Sequence, residues 1–127
     1  MANKEINEIK EGEKVKPIIL HDDNGDVYTL EFNLEAVKFA EARGFSLDDL
    51  FRKPATGVED LFYYAFRMHH RNVPRERTNR FLWEDLGGLG GLPDGFIERL
   101  GQLYNDPVMA VRAADNEGKN PRLTVEL

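Results

Sequence analysis

The chain has 127 residues, 41% hydrophobic and 31% charged, with a formal net charge of −6 and no cysteine. That length suits one domain that buries a core without disulfide or metal, and the absence of thiols excludes thiolate chemistry. The acid excess argues against a general nucleic-acid binder, and no apolar run approaches the ~20 residues that span a bilayer. Met1–Lys14 is polar and charged, with Ile6 and Ile9 as its apolar anchors. It does not read as a signal peptide; the expectation is a frayed arm, with a short helix as the alternative, ahead of one domain over 15–127.

Val15–His21 and Val27–Phe32 are β-branched and aromatic runs separated by DDNGD. Asn24-Gly25 suits the centre of a type I′ turn, which predicts a hairpin. That turn would place Ile19 opposite Leu30, His21 opposite Tyr28 and Pro17 opposite Phe32 on the face that meets the helices. Leu20–Thr29 and Ile18–Glu31 would take the other face. A lone hairpin is marginal in water, so it must pack on something. Asn33 can cap a helix over Leu34–Arg43 that Gly44 ends, with Leu34, Val37 and Ala40 or Glu41 inward and Phe39 to one side. Ser46-Leu-Asp-Asp49 has a capping-box pattern and opens a short helix, Leu47–Phe51, before Pro54.

The densest apolar stretch is Thr56–Arg71, TGVEDLFYYAFRMHHR, opened by a second capping-box pattern, Thr56–Glu59. At about 100° per residue, Val58, Leu61, Phe62, Ala65 and His69 share a stripe, widened by Tyr64, Phe66 and Met68. Glu59, Asp60, Arg67, His70 and Arg71 fall opposite. The arc covers roughly half the circumference, wider than an ordinary surface stripe, and predicts a rod packed by several neighbours. Asn72-Val73-Pro74 ends it. Arg75–Leu86 is expected as one helix with Thr78, Phe81, Leu82 and Leu86 inward and Trp83 turned off that stripe. GGLGGLPDG, Gly87 to Gly95, reads as a flexible joint. Pro93 suits the first turn of a helix with Phe96, Leu100, Leu103 and Tyr104 inward. Asn105-Asp106-Pro107 reads as a break and a new cap for Pro107–Ala114, followed by a polar loop, Asp115–Asn120. Pro121–Leu127 alternates and predicts a C-terminal strand. The fold class is α+β, mainly α: an N-terminal β-hairpin on a bundle of about five short helices, with a short C-terminal strand.

The chemistry-bearing residues do not assemble into a catalytic set. His69 and His70 are adjacent, so their side chains diverge on a helix and cannot readily share a tetrahedral ion; no Cys and no HExxH accompany them. His69 is expected as a hydrogen-bonded core histidine. Asp22–Asp26 lacks the alternate ligands, the late glycine and the closing glutamate of a calcium loop, so the hairpin turn is preferred. Gly87–Gly91 follows a helix and lacks a Lys-Ser/Thr, which sets it apart from a phosphate loop. Asp48 and Asp49 fit the macrodipole of a helix start. No Ser/His/Asp arrangement emerges. The expectation is a protein that is not an enzyme, with no cofactor and no metal. Arg67, Arg71, Arg75, Arg77 and Arg80 form a basic cluster. It reads as a solvated face with pairs such as Glu76–Arg80, or as a surface for an acidic partner or nucleic acid. The terminal strand must pair with the hairpin or offer its edge to a partner or a second copy.

The runs YTLEFNLEAVKFAEARGF, DLFYYAFRMHHRNVPRERTNRFLWEDLGGL, ERLGQLY and NPRLTVEL together resemble small proteins of the tail assembly chaperone type from siphophages and prophages of Gram-positive bacteria. The resemblance spans about Val27 to Leu127 and lies in overall pattern, not in a catalytic signature. It implies a mostly helical protein in the cytoplasm of the bacterial host. Such a protein binds the tape measure protein transiently and keeps its apolar helices soluble while the tail tube polymerises. Some members are also made in an extended form by ribosomal frameshifting. The family has no strict site motif, so no residue roles carry over. Aromatic residues beside charge are the expected contacts: Trp83 first, then Phe81, Phe45 and Phe51, with Arg75 and, on the terminal strand, Leu123 and Val125. Core membership is the competing role for each aromatic. The competing functions are a virion structural component of the tail or connector and a small nucleic-acid-binding regulator. Self-association is compatible with the first two readings.

Overall fold

The computed structural model describes residues 14–109, 123 and 125–127. Two antiparallel strands, β1 (Ile18–His21) and β2 (Val27–Leu30), precede five α-helices. These are α1 (Leu34–Ala42), α2 (Asp49–Arg52), α3 (Pro54–Tyr64), α4 (Arg75–Arg80) and α5 (Phe96–Met109). A π-helical turn, Phe81–Asp85, extends α4, and a 3-10 turn, Leu89–Gly91, leads towards α5. The architecture is α+β and mainly α, as the periodicities predict.

Helix α3 packs against α1, α2, α4 and α5. Val58, Leu61, Phe62, Ala65 and Phe66 are all buried. The predicted rod is therefore the centre of the core, but its limits differ. It starts at Pro54, whose fixed φ suits a first helical position, and no side-chain cap forms at Thr56–Glu59. It ends at Tyr64, not Arg71. The reason is the neighbouring strand. The Ala65 carbonyl accepts the Glu31 N–H at 3.1 Å, and His70 Nε2 accepts the Thr29 N–H at 2.8 Å. Backbone donors on a strand edge need partners, and here the chain after α3 unwinds to supply them. That exit leaves His69 exposed, not in the core, with Nε2 2.8 Å from Glu31 Oε1.

The hairpin pairs one residue away from the expected register: Ile18 with Leu30, Ile19 with Thr29, Leu20 with Tyr28 and His21 with Val27. A type I′ turn needs positive φ at both central residues, and only Gly25 has it, at +89°. The Asp22 carbonyl accepts the Gly25 N–H, and Asp22 Oδ1 accepts the N–H groups of Asn24 and Asp26. The Asp22 side chain thus builds a longer loop closed by Gly25, and the pairing slips by one residue, which exchanges the two faces of β1. Tyr28, Leu30 and Phe32 face the helices as predicted. Their cross-strand companions are Ile18 and Leu20, while Ile19 and His21 face solvent. Glu31, expected on the outer face, is buried.

Asn33 caps α1 as expected, its Oδ1 accepting the Ala36 N–H at 2.9 Å. Ala36, Val37 and Ala40 face inward, whereas Leu34 is largely exposed. The two alanines allow closer helix contact than leucine would. Half of the expected capping box forms ahead of α2: Asp49 Oδ2 accepts the Ser46 N–H, but Ser46 Oγ accepts the Asp48 N–H instead of that of Asp49, and the helix starts at Asp49, not Leu47. Arg75–Leu86 is not one regular helix, because the Leu86 N–H reaches back to the Phe81 carbonyl at 2.8 Å. The expected break at Asn105–Pro107 is absent: α5 runs through Pro107 to Met109. Leu103 and Tyr104 lock the preceding turn into the core, so one lost backbone donor does not end the helix. The loop Asp115–Asn120 lies outside the described residues, as do Ala110–Ala114 of the expected last helix and Pro121, Arg122 and Thr124. Leu123 and Val125–Leu127 are exposed and belong to no strand, so the terminal strand does not form at these positions.

Candidate functional site

The aromatic residues separate into a core network and a surface set. Tyr28 meets Phe66 and Phe81, with ring centroids 5.8 and 5.3 Å apart. Phe45 lies between Tyr64 and Tyr104, at 5.9 and 5.2 Å. Edge-to-face and tilted arrangements at these separations stabilise a core beyond their area alone. Phe45, a predicted partner contact, is therefore a buried core residue, and Phe81 is partly buried against the hairpin. Burial raises the Tyr104 phenol to about 12, with the nearby Glu41 charge adding to it.

Trp83 does turn off its helix stripe, at 37% exposure. Its Nε1–H donates to Glu59 Oε1 at 2.9 Å, and its ring lies over Gly88, where a Cβ would come within 3.3 Å. The predicted flexible joint is a built turn. Gly88 N–H bonds the Leu82 carbonyl, and a Cβ on Gly91 would lie 2.1 Å from the Leu86 oxygen. Arg75 donates to Glu59 Oε2 at 2.9 Å and to Asp60 Oδ1. Burial alone would lower the Arg75 pKa, but its two carboxylate partners raise it overall. Arg67 forks onto Glu35 through Nε and Nη2, and Arg71 reaches the same carboxylate at 3.5 Å. Arg43 and Arg67 both stack on Phe39. Arg67, Arg71 and Arg75 of the basic cluster are thus paired to carboxylates within the molecule, which weakens it as a phosphate surface.

The surface set converges elsewhere. Leu47, Leu50 and Phe51 of the α2 segment face Leu89, Leu92 and Pro93 of the glycine-rich turn and Phe96, Ile97 and Gly101 of α5. Together they line an open groove of about 830 Å³, mainly apolar, whose lining also includes Asp94, Glu98, Gln102 and Asn105. Phe51 is 84% exposed, the largest side chain so uncovered among the described residues. The local sequence explains this placement. Asp49 turns inward, so residues two along a helix turn away from it, and Phe51 points out. Gly57 lets α3 pass against α2, since a Cβ there would stand 2.4 Å from the Asp49 carbonyl oxygen. Gly101 leaves room beside Leu50 Cδ1. A second cavity, beneath Phe39, Tyr64 and His70, has about 20 Å³, the size of a water.

Among the predicted contacts, only Phe51 lines this groove. Trp83 and Arg75 share the Glu59 cluster. Leu123 and Val125 are exposed near the end of the chain. Sequence reasoning missed Leu89 and Leu92; leucines without a helical stripe inside a glycine-rich turn were the available signal, because such residues need a neighbour to cover them. Among the described residues no helix is long and apolar enough to cross a membrane. Also among them, no group of three or more His, Asp or Glu is placed to hold a metal ion.

No curated protein and no solved structure matches the chain. A family model does, over residues 4–127: the chain belongs to the family described as Domain of unknown function (DUF5055).

Proposed function

We propose that this protein is a non-enzymatic tail assembly chaperone that binds the tape measure protein transiently during phage tail morphogenesis, in the cytoplasm of the bacterial host. The observation that carries the reading is the apolar groove with Phe51 at its lip. Contiguous uncovered apolar surface marks an interaction site more readily than a single scattered side chain. The resemblance in overall sequence pattern supplies the client. A groove of this size, built on packed helices and closed turns, suits a long apolar helix that must be shielded and then released.

Co-expression with the tape measure protein tests the proposal. The wild-type chain is expected to hold that client in the soluble fraction and to co-purify with it; Phe51→Ser should abolish both while leaving the protein folded. A client equally insoluble with and without the wild-type chain would reject the reading. A virion structural role is the second reading, favoured by the exposed terminal residues Leu123, Val125 and Leu127, which could join a neighbouring subunit. Mass spectrometry of purified particles separates the two, because a chaperone is released and a structural subunit is retained.

A further inference from the structure

The groove carries information about the chemistry of its occupant. Its charged lining residues are both acidic, Asp94 and Glu98. They stand at the α5 end, on either side of the Gly95 turn, and Glu98 Oε1 would lie 3.7 Å from a Cβ on Gly95. The nearest cation on that helix turn, Arg99, points elsewhere and donates to the Lys16 carbonyl at 3.2 Å. Arg52, next to Phe51, is turned to Asp49 at 3.8 Å. The groove therefore pairs a mainly apolar lining with two acidic side chains.

Its walls also select the occupant's conformation. Leu50, Phe51 and Ile97 are presented from helices, and several backbone donors of the turn between them are bonded within it. The Gly91 N–H goes to Gly88, Leu92 to Leu89, and Phe96 to Pro93. None of the lining residues belongs to a strand, so an extended peptide lying in the groove would find no continuous ladder of backbone partners. A helix satisfies its backbone internally and can lay one apolar stripe into the groove.

We infer that the groove binds an amphipathic α-helix whose apolar stripe is flanked by lysine or arginine, and that Asp94 and Glu98 discriminate against acidic helices. This rests on the groove being the client site, and it adds the charge of the segment bound.

Two synthetic helical peptides test it, with one leucine stripe and either Lys or Glu flanks, titrated into the full chain and followed by methyl NMR and fluorescence anisotropy. The Lys-flanked peptide should shift the methyls of Leu50, Leu89, Leu92 and Ile97. It should bind roughly three- to tenfold tighter than the Glu-flanked one, as one ion pair each to Asp94 and Glu98 allows, with the gap narrowing at high salt. The double variant Asp94→Asn/Glu98→Gln should erase the gap while both peptides still bind. Ile97→Asp should abolish binding of both, its fold checked by circular dichroism. Equal affinities for the two peptides in the wild type, a gap untouched by the double variant, or shifts confined to other methyls would overturn the inference. The chaperone reading fails separately, if the tape measure protein stays insoluble beside the wild-type chain.

Discussion

Gly57→Ala is the most direct test of how the α2–α3 corner holds the groove open. In a solvent-exposed helix interior this change is favourable by about 1 kcal/mol, because alanine loses less backbone freedom. Here the added Cβ would lie 2.4 Å from the Asp49 oxygen and 2.6 Å from its carbon, both backbone atoms. A flexible side chain could swing aside; a backbone carbonyl at the start of α2 cannot. Overpacking of this kind costs about 1–3 kcal/mol, and rigid partners place it towards the upper end. Set against the propensity gain, the net expectation is a loss of about 1–2 kcal/mol. Urea denaturation followed by circular dichroism measures it as a lowered midpoint at unchanged slope. Gly90→Ala is the control, with nothing within 4 Å of its Cβ, and should change stability little. Because α2 carries Leu50 and Phe51, Gly57→Ala should also weaken client binding. A Gly57→Ala protein as stable as wild type, or more so, would refute the close approach and with it this account of the groove wall.

His70 should make the fold acid-sensitive. Its Nε2 must be unprotonated to accept the Thr29 N–H, and burial followed by the neighbouring His69 charge lowers its pKa below 6.5. The unfolded chain then takes up the proton first. Stability is full above the unfolded value and falls as pH drops through about 6.5 towards the lowered folded value, then levels off. His70→Gln should lose less stability between pH 7.5 and pH 5 than wild type; equal losses would contradict the assignment. Gly25→Ala should destabilise by about 1 kcal/mol although no atom lies within 4 Å of the added Cβ, because the cost is the positive φ, and thermal melting would show it. Phe62→Ala should cost about 3–5 kcal/mol, since this side chain is fully buried between Phe66 and Phe96; a midpoint close to wild type would dislodge α3 from the centre.

Elements set by near neighbours were legible in the residues themselves. The α3 stripe, the Asn33 cap, the Ser46 N–H bond to Asp49 and the inward Phe96, Leu100, Leu103 and Tyr104 all follow from spacing within a few positions. Where distant parts of the chain compete for one group, local reading failed. The hairpin register turned on the Asp22 carboxylate and a single positive φ. The end of α3 turned on backbone donors in and just after β2, 41 residues away in sequence for Thr29 and His70. Phe45 and Phe51 look alike as neighbouring aromatics, yet one fills the core between two tyrosines and the other stands in solvent. By itself the sequence determined composition class, helix content and the identity of the central rod, because hydrophobic periodicity acts along one element. Only the tertiary structure decided the groove, because it joins Leu47 and Leu50 of the α2 segment, Leu89 and Leu92 of the glycine turn, and Phe96 and Ile97 of α5, and no periodicity connects them. Its charge likewise had no meaning until the fold brought Asp94 and Glu98 beside an apolar surface.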